Sequence, residues 1–239
     1  MPLGVPKIPF DFDIDPNRPE YEYREEDEES TWVDLYNALY KKRQLFLFQD
    51  VTSEIANQLI NLFLYLDSEN ELTDFCLYID SPGGWILPGI SLFNVMEAVE
   101  AEIRTICVGL AASMASFILA AGNHNKRVAF PHAGVMIHQP RASFLEEDDD
   151  DDDADDNDDN DDDDDNDDNN ENIKFFREMD ELMIIQEDIA KIYAERTTQP
   201  LEVILKDLQS DSFMSATEAQ AHGIVDFVAH WERGVRFRG

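Results

Sequence analysis

The sequence predicts an α/β fold built on a largely parallel sheet, and three observations carry that expectation. From residue 45 to residue 138, short runs rich in β-formers alternate with stretches whose apolar residues recur at helical spacing, the pattern of βαβ units. The β-rich runs are continuously apolar, as strands buried on both faces require. The stretch 103–122 divides into a β-rich part and a part of small apolar residues closing at Gly122, a buried strand leading into a buried helix. With 239 residues, 43 % of them hydrophobic, the chain is long enough for one sizeable core.

In order along the chain, residues 1–30 carry Pro2, Pro6, Pro9, Pro16 and Pro19 and an acidic run ending at Glu29, and read as a loosely ordered arm. Around Trp32 the body begins, with Val33, Leu35, Tyr36, Leu39 and Tyr40 at helical spacing, and Leu45 to Phe48 reads as a strand. Ser53 is placed to cap a helix that gathers Ile55, Leu59, Leu62, Phe63 and Leu66 on one face. Phe75 to Ile79 is the next strand. It runs into Asp80-Ser-Pro-Gly-Gly84, and a helix with Leu92, Val95, Met96 and Val99 on one side follows. Strand 103–108 and the helix after Ser113 repeat the alternation. Arg127 to Phe130 is a strand, and Pro131 leads to the run Gly134 to Pro140. Residues 145–172 form an Asp/Asn tract whose like charges repel and bury nothing, so disorder is expected. A long amphipathic helix follows, striped by Phe176, Met179, Leu182, Met183, Ile189, Ile192 and Tyr193, and Thr197 to Pro200 breaks it. Leu201 to Leu208 makes a short helix, Asp211 to Ala219 reads as a helix start, and Ile224 to Val228 as a closing strand.

Charge excludes one large class of function. The net charge is −35, but residues 146–171 alone hold 20 acidic residues and no Lys or Arg. Residues 11–29 hold 10 more against 2 basic ones, so the body between is nearly balanced. Nucleic-acid binding needs clustered Lys and Arg and is not expected. Cys76 and Cys107 lie in apolar runs and read as reduced, buried thiols. No Cys/His spacing suits a metal. No secretory signal is read at Met1-Pro2-Leu3-Gly4. The apolar window 105–122 is interrupted by Gly109, Ser113 and Ser116, so it is read as strand and helix within a soluble protein rather than as a membrane span.

In parallel α/β units ligands collect where loops leave the carboxyl ends of strands. Three such exits carry chemistry. Gly83 and Gly84 let backbone N–H groups approach a substrate, Ser113 stands at a helix start, and His138 ends the next apolar run as the natural base. Asp207, Asp211 or Asp226 could orient that histidine. These are the parts of acyl-transfer catalysis: nucleophile, base, orienting acid and oxyanion donors. Each also has a plain structural reading, with Ser113 a helix cap, His138 a satisfied core residue and Gly83-Gly84 an ordinary turn. The surroundings of Ser113 are not the G-x-S-x-G elbow of α/β-hydrolases.

Tyr78-Ile-Asp-Ser-Pro-Gly-Gly84, Gly109-Leu-Ala-Ala-Ser-Met114, Val135-Met-Ile-His-Gln-Pro140 and Phe213-Met-Ser-Ala-Thr-Glu-Ala219 together resemble the signature blocks of the Clp protease proteolytic subunit. Met1 to Lys7, Phe117-Ile-Leu and Ser215 to Gln220 are most similar to its plastid-encoded members. The resemblance implies a crotonase-like spiral of βαβ units with a protruding handle of strand plus long helix. It divides the chain into an N-terminal arm (1–31) that could line an axial pore, a head bearing the serine and histidine (32–143), an insertion in the handle (144–172), the handle helix and the rest of the head (173–230), and a tail (231–239). It implies Ser113 as nucleophile, His138 as general base and Asp211 as the orienting carboxylate. It further implies an oxyanion hole made by the backbone N–H groups of Gly84 and Met114, and a strand beginning at Gln139, Pro140, Arg141 and Ala142 that adds a peptide substrate by main-chain hydrogen bonds. It also implies seven-membered rings stacked in pairs, homomeric or mixed, and unfolded polypeptide delivered by an ATP-driven AAA+ unfoldase. The setting implied is the plastid stroma, with no cofactor, metal, nucleic acid or membrane. The absence of a G-x-x-x-x-G-K-[ST] stretch agrees with ATP being handled by the partner.

The sequence departs from the family pattern in places. Ala115 stands where glycine is usual, Asp80 where asparagine is common, and Ser210 where arginine commonly reaches between rings. A carboxylate at Asp80 is expected to raise the pKa of His138 if the two are close. The acidic tract is the largest departure, tolerable because the entropy of closing a loop grows slowly with its length. Three competing functions follow: a non-catalytic subunit of a mixed ring, a crotonase-type acyl-CoA enzyme, and an acidic module for basic proteins. Loss of Ser113 or His138 would have favoured the first. The second has no use for the three side chains together.

Overall fold

A computed structural model describes residues 5–10, 31–139 and 183–229. The chain opens on a small hairpin-like pair, β1 (Lys7–Phe10) against β2 (Thr31–Asp34), antiparallel with Lys7 opposite Asp34 and Phe10 opposite Thr31. Two expectations are corrected here. Part of the N-terminal arm is strand, with Pro9 in a strand whose other side needs no ladder donor. Trp32 and Val33 belong to that pairing, so the helix α1 starts only at Leu35 and runs Leu35–Lys41.

The main sheet has seven strands. Its path is β3 (Gln44–Leu47), β4 (Phe75–Ser81), β5 (Ile103–Ala112), β6 (Arg127–Ala129) and then β9 (Phe227–Val228), all parallel neighbours. The ten-residue β5 takes two partners in series along one edge. It pairs with β6 through Thr105–Cys107, then with β7 (Gly134–Ile137) through Leu110–Ala112. β8 (Ser212–Ser215) adds antiparallel to β7. Between β4 and β5 the register slips after Ile79. Asp80 fills the gap, its Oδ1 accepting from Leu110 N–H at 2.9 Å, and a Cβ at Gly109 would lie 2.5 Å from that oxygen.

Helices cover the sheet as the apolar spacing predicts. α2 (Ser53–Glu69) buries Ala56, Leu59, Phe63 and Leu66, but its cap is Thr52, whose hydroxyl accepts from Ile55 N–H at 3.4 Å, one residue earlier than expected. α3 (Ile86–Ala98) follows the Gly83-Gly84 turn, and all seven residues of α4 (Met114–Ala120) are buried, which is why the sequence there is small and apolar. The helical residues 183–197 form α5, followed by α6 (Leu201–Gln209) and α7 (Ala216–His222). Ile189 and Tyr193 of the expected stripe are buried and Ile192 is half-buried, whereas Met183 faces solvent; Phe176, Met179 and Leu182 lie outside the described residues, as does the acidic tract 145–172.

The segment read as a helix start at 211–219 is corrected too. Ser212–Ser215 is strand, because β7 offers it an edge, and only Ala216 onward is helix. Ser215 and Glu218 cap the start of that helix with a reciprocal capping box. The closing strand is the short Phe227–Val228, while Ile224 and Val225 are buried ahead of it. Cys107 is buried as expected, but Cys76 is half-buried; both are free thiols.

Candidate active site

Ser113 is the corner between β5 and α4. Its φ of 55° and ψ of −126° lie outside the regions that residues with a Cβ favour. It stands at the N-cap position but its hydroxyl makes no capping bond, so the plain cap reading is overturned. The backbone around it is fixed from both sides. Its N–H donates to the Met136 carbonyl at 2.9 Å, and its own carbonyl accepts from Ser116 N–H at 3.0 Å and Phe117 N–H at 3.3 Å.

The glycine turn packs directly on this corner. A Cβ at Gly83 (φ +100°) would meet the Ala112 carbonyl oxygen at 2.6 Å, Ser113 Cβ at 2.7 Å and Met114 N at 3.1 Å. Gly84 lies as tightly on the backbone of Val51, which donates its N–H to Gly83 at 2.8 Å and accepts from Trp85 N–H at 2.9 Å. This is more than an ordinary turn: it is clamped between Val51 and the Ser113 corner. Neither the Gly84 nor the Met114 N–H donates to a backbone carbonyl among the described residues.

His138 follows β7 and Asp211 precedes β8. Ile137 and Ser212 are the last opposed pair, so the antiparallel register sets His138 and Asp211 across from one another. His138 Nδ1 lies 3.9 Å from Asp211 Oδ1; the imidazole is largely buried, while the carboxylate is half in solvent. Asp211 has a positive φ of 46°, a second strained position on the same edge. The other two expected orienting acids are engaged elsewhere. Asp207 Oδ2 lies 2.9 Å from His222 Nε2. Asp226 binds Arg127 through 2.6 and 3.0 Å contacts and also accepts its N–H at 2.9 Å. Burial raises the Asp226 carboxyl, but the hydrogen bonds and charge of Arg127 outweigh it and hold the group below its ordinary range.

The remaining expected residues are placed as follows. Gln139 spends its N–H on the Leu208 carbonyl at 2.7 Å, and its Oε1 accepts from Gln186 at 3.2 Å. Pro140, Arg141 and Ala142 lie outside the described residues. Asp80 is turned to the Leu110 N–H, Ala115 is buried within α4, and Ser210 caps the end of α6 with its Oγ donating to Lys206 at 3.2 Å. Among the described residues no group of three or more His, Cys, Asp or Glu is placed to hold a metal, and no helix is long and apolar enough to cross a membrane. Sequence reasoning uses Ser116 only as an interruption of an apolar window and sees Tyr193 only as part of an apolar stripe. The structure joins their hydroxyls at 2.8 Å beneath the Ser113 corner. A lone serine inside an otherwise apolar helix is the signal that could have found them.

A strained serine at a strand-to-helix corner, bonded through its N–H to the strand that leads into His138, with Asp211 facing that histidine, fits the class of α/β serine hydrolases. Comparison with known proteins narrows this. The Clp protease family profile matches residues 26–155 and 169–232, interrupted within the acidic tract. The chain is 46 % identical over 229 residues to the ATP-dependent Clp protease proteolytic subunit of Gossypium hirsutum, covering 96 % of this chain and 99 % of that protein. Proteins of the same description from Daucus carota (46 % identical; 96 % and 98 % covered) and Vitis vinifera (47 %; 96 % and 99 %) match equally well. The chain belongs to the Clp protease family.

Proposed function

We propose that this chain is the serine endopeptidase subunit of an ATP-dependent Clp protease and that Ser113, His138 and Asp211 cut the peptide bond. The observation that carries this reading is the Ser113 corner, strained, uncapped and pinned to the strand that leads into His138. His138 takes the Ser113 proton as Oγ attacks the scissile carbonyl, then gives it to the leaving amine. Asp211 holds the imidazole from the Nδ1 side and stabilises its charged form. The Gly84 and Met114 N–H groups receive the oxyanion, and water then releases the acyl group by the reverse path.

The relatives are described as ATP-dependent, which supports an ATPase partner that unfolds substrates and feeds them in. Stacked seven-membered rings, with the chain around α5 reaching between them, suit that division of labour. The plant origin of the relatives supports a plastid setting. The test is labelling of the assembled particle by a fluorophosphonate. Ser113→Ala abolishes labelling and lowers hydrolysis of a short peptide by about five to six orders of magnitude, and Asp211→Asn by about two to four. Unchanged labelling of the Ser113 variant overturns the reading.

A further inference from the structure

The Ser113–Met114 peptide is held by more than its own helix. Ser116, fully buried one turn into α4, donates its Oγ–H to the Ser113 carbonyl at 2.6 Å. The same Oγ lies 2.8 Å from the Tyr193 hydroxyl on α5. A serine hydroxyl has a single proton to give. With that proton on the Ser113 carbonyl, Tyr193 is the donor to Ser116, and the three groups form a one-way chain from phenol to hydroxyl to carbonyl. Burial pushes the Tyr193 phenol well above its ordinary value, against a smaller opposing pull from Ser116, so the donor proton is retained. The ring is fixed edge-on to Phe117 at a centroid distance of 5.6 Å.

The helix does not need this arrangement. The Ser113 carbonyl already accepts two helical N–H groups, and a serine bonding back to its own helix is neutral or slightly unfavourable. Buried hydroxyls among apolar side chains also carry a desolvation penalty. The chain's effect falls on the peptide group itself. The Ser113 C=O and the Met114 N–H are two ends of one planar unit. Donors on the oxygen fix the rotation of that plane, and therefore the direction of the N–H. They also draw electron density from the nitrogen, and successive hydrogen bonds strengthen one another in a low-dielectric interior.

We propose that Ser116 and Tyr193 are positioning residues for the reaction, aiming and polarising the Ser113–Met114 peptide so that the Met114 N–H meets the oxyanion. The inference rests on the Ser113 reading given under Proposed function. Neither side chain touches substrate; both act through the peptide. Because the oxyanion carries its charge only in the transition state, their removal lowers kcat and leaves KM in place.

The experiment uses the full chain in its assembled form, a short fluorogenic peptide that needs no unfoldase, and a peptide boronate that mimics the tetrahedral state. Ser116→Ala lowers kcat about 10-fold and Tyr193→Phe about 3-fold, with KM within about 2-fold of wild type. Boronate affinity falls in step with kcat/KM. In the Ser116→Ala background Tyr193→Phe has no further effect, because its proton reaches the peptide only through Ser116. Wild-type kcat and boronate affinity in both variants, whatever happens to their Tm, overturn the inference; so do independent effects of the two substitutions. Ser113→Ala in the same assay separates the failures. If it stays active, the nucleophile reading fails, whereas if it is dead while the other two variants match wild type, only the positioning role fails.

Discussion

Ser113 and Asp211 are both held at positive φ, conformations that cost roughly 1–3 kcal/mol each in a residue with a Cβ. Arg43, Asn125 and Thr198 also have positive φ, so it is the placement of Ser113 and Asp211 at the ends of paired strands, and not positive φ alone, that marks them. The serine and histidine were legible in the sequence because each ends a β-rich run, and such ends converge in parallel α/β folds. The choice among Asp207, Asp211 and Asp226 was not legible from residue spacing, since it depends on which acids have other partners; only the family resemblance singled out Asp211. Asp226 shows what such a partner does. Its carboxyl and Arg127 are both nearly buried, and removing one half of a buried pair costs about 3 kcal/mol or more. Asp226→Ala should therefore lower stability by about that amount near neutral pH. The folded-state pKa of Asp226 is depressed, so its contribution is present above the ordinary carboxylate range, near pH 4, and is lost as pH falls through the lower folded value. Thermal unfolding of wild type and variant should differ at pH 7 and converge in strong acid.

Among the elements, the short apolar runs of β3, β6 and α6 were legible along with the longer helices, but the strands β1, β2 and β8 were not. α2 and α3 have enough turns for a stripe to stand out, whereas β8 is four residues long and exists because β7 lends it an edge. The helix after it opens on the Ser215/Glu218 capping box, a local feature, while the strand before it depends on a distant partner. The Gly83 turn is local in sequence but its purpose is not. A methyl group there meets Ser113 Cβ and the Ala112 carbonyl, neither of which can retreat without moving the corner. Gly83→Ala should lower peptide hydrolysis by at least about 100-fold, because a displacement of about 1 Å is enough for that loss. Its Tm should fall by only a few degrees, as expected for about 1–3 kcal/mol of strain at one turn. Parallel measurement of kcat/KM and thermal unfolding checks both halves.

At the scale of the whole molecule, the negative charge is concentrated in two segments of the sequence. The family match pauses at 156–168, within the tract that holds most of the excess charge, and resumes at residue 169. Deleting 146–171 should leave the hydrolysis of short peptides within about 2-fold, because loop closure changes by only about 0.6 kcal/mol per doubling of length. The ratio of rates on basic and acidic peptides, compared with wild type, shows whether the polyanion also selects substrates. The body itself is organised by β5, which has partners on both edges and takes β6 and β7 one after the other along one of them. Amides in such a rail exchange with solvent only when the domain opens as a whole. Ser113 therefore sits at the end of the one named strand with three partners, and under the function proposed above whatever loosens or tightens activity acts through the loops beside that strand.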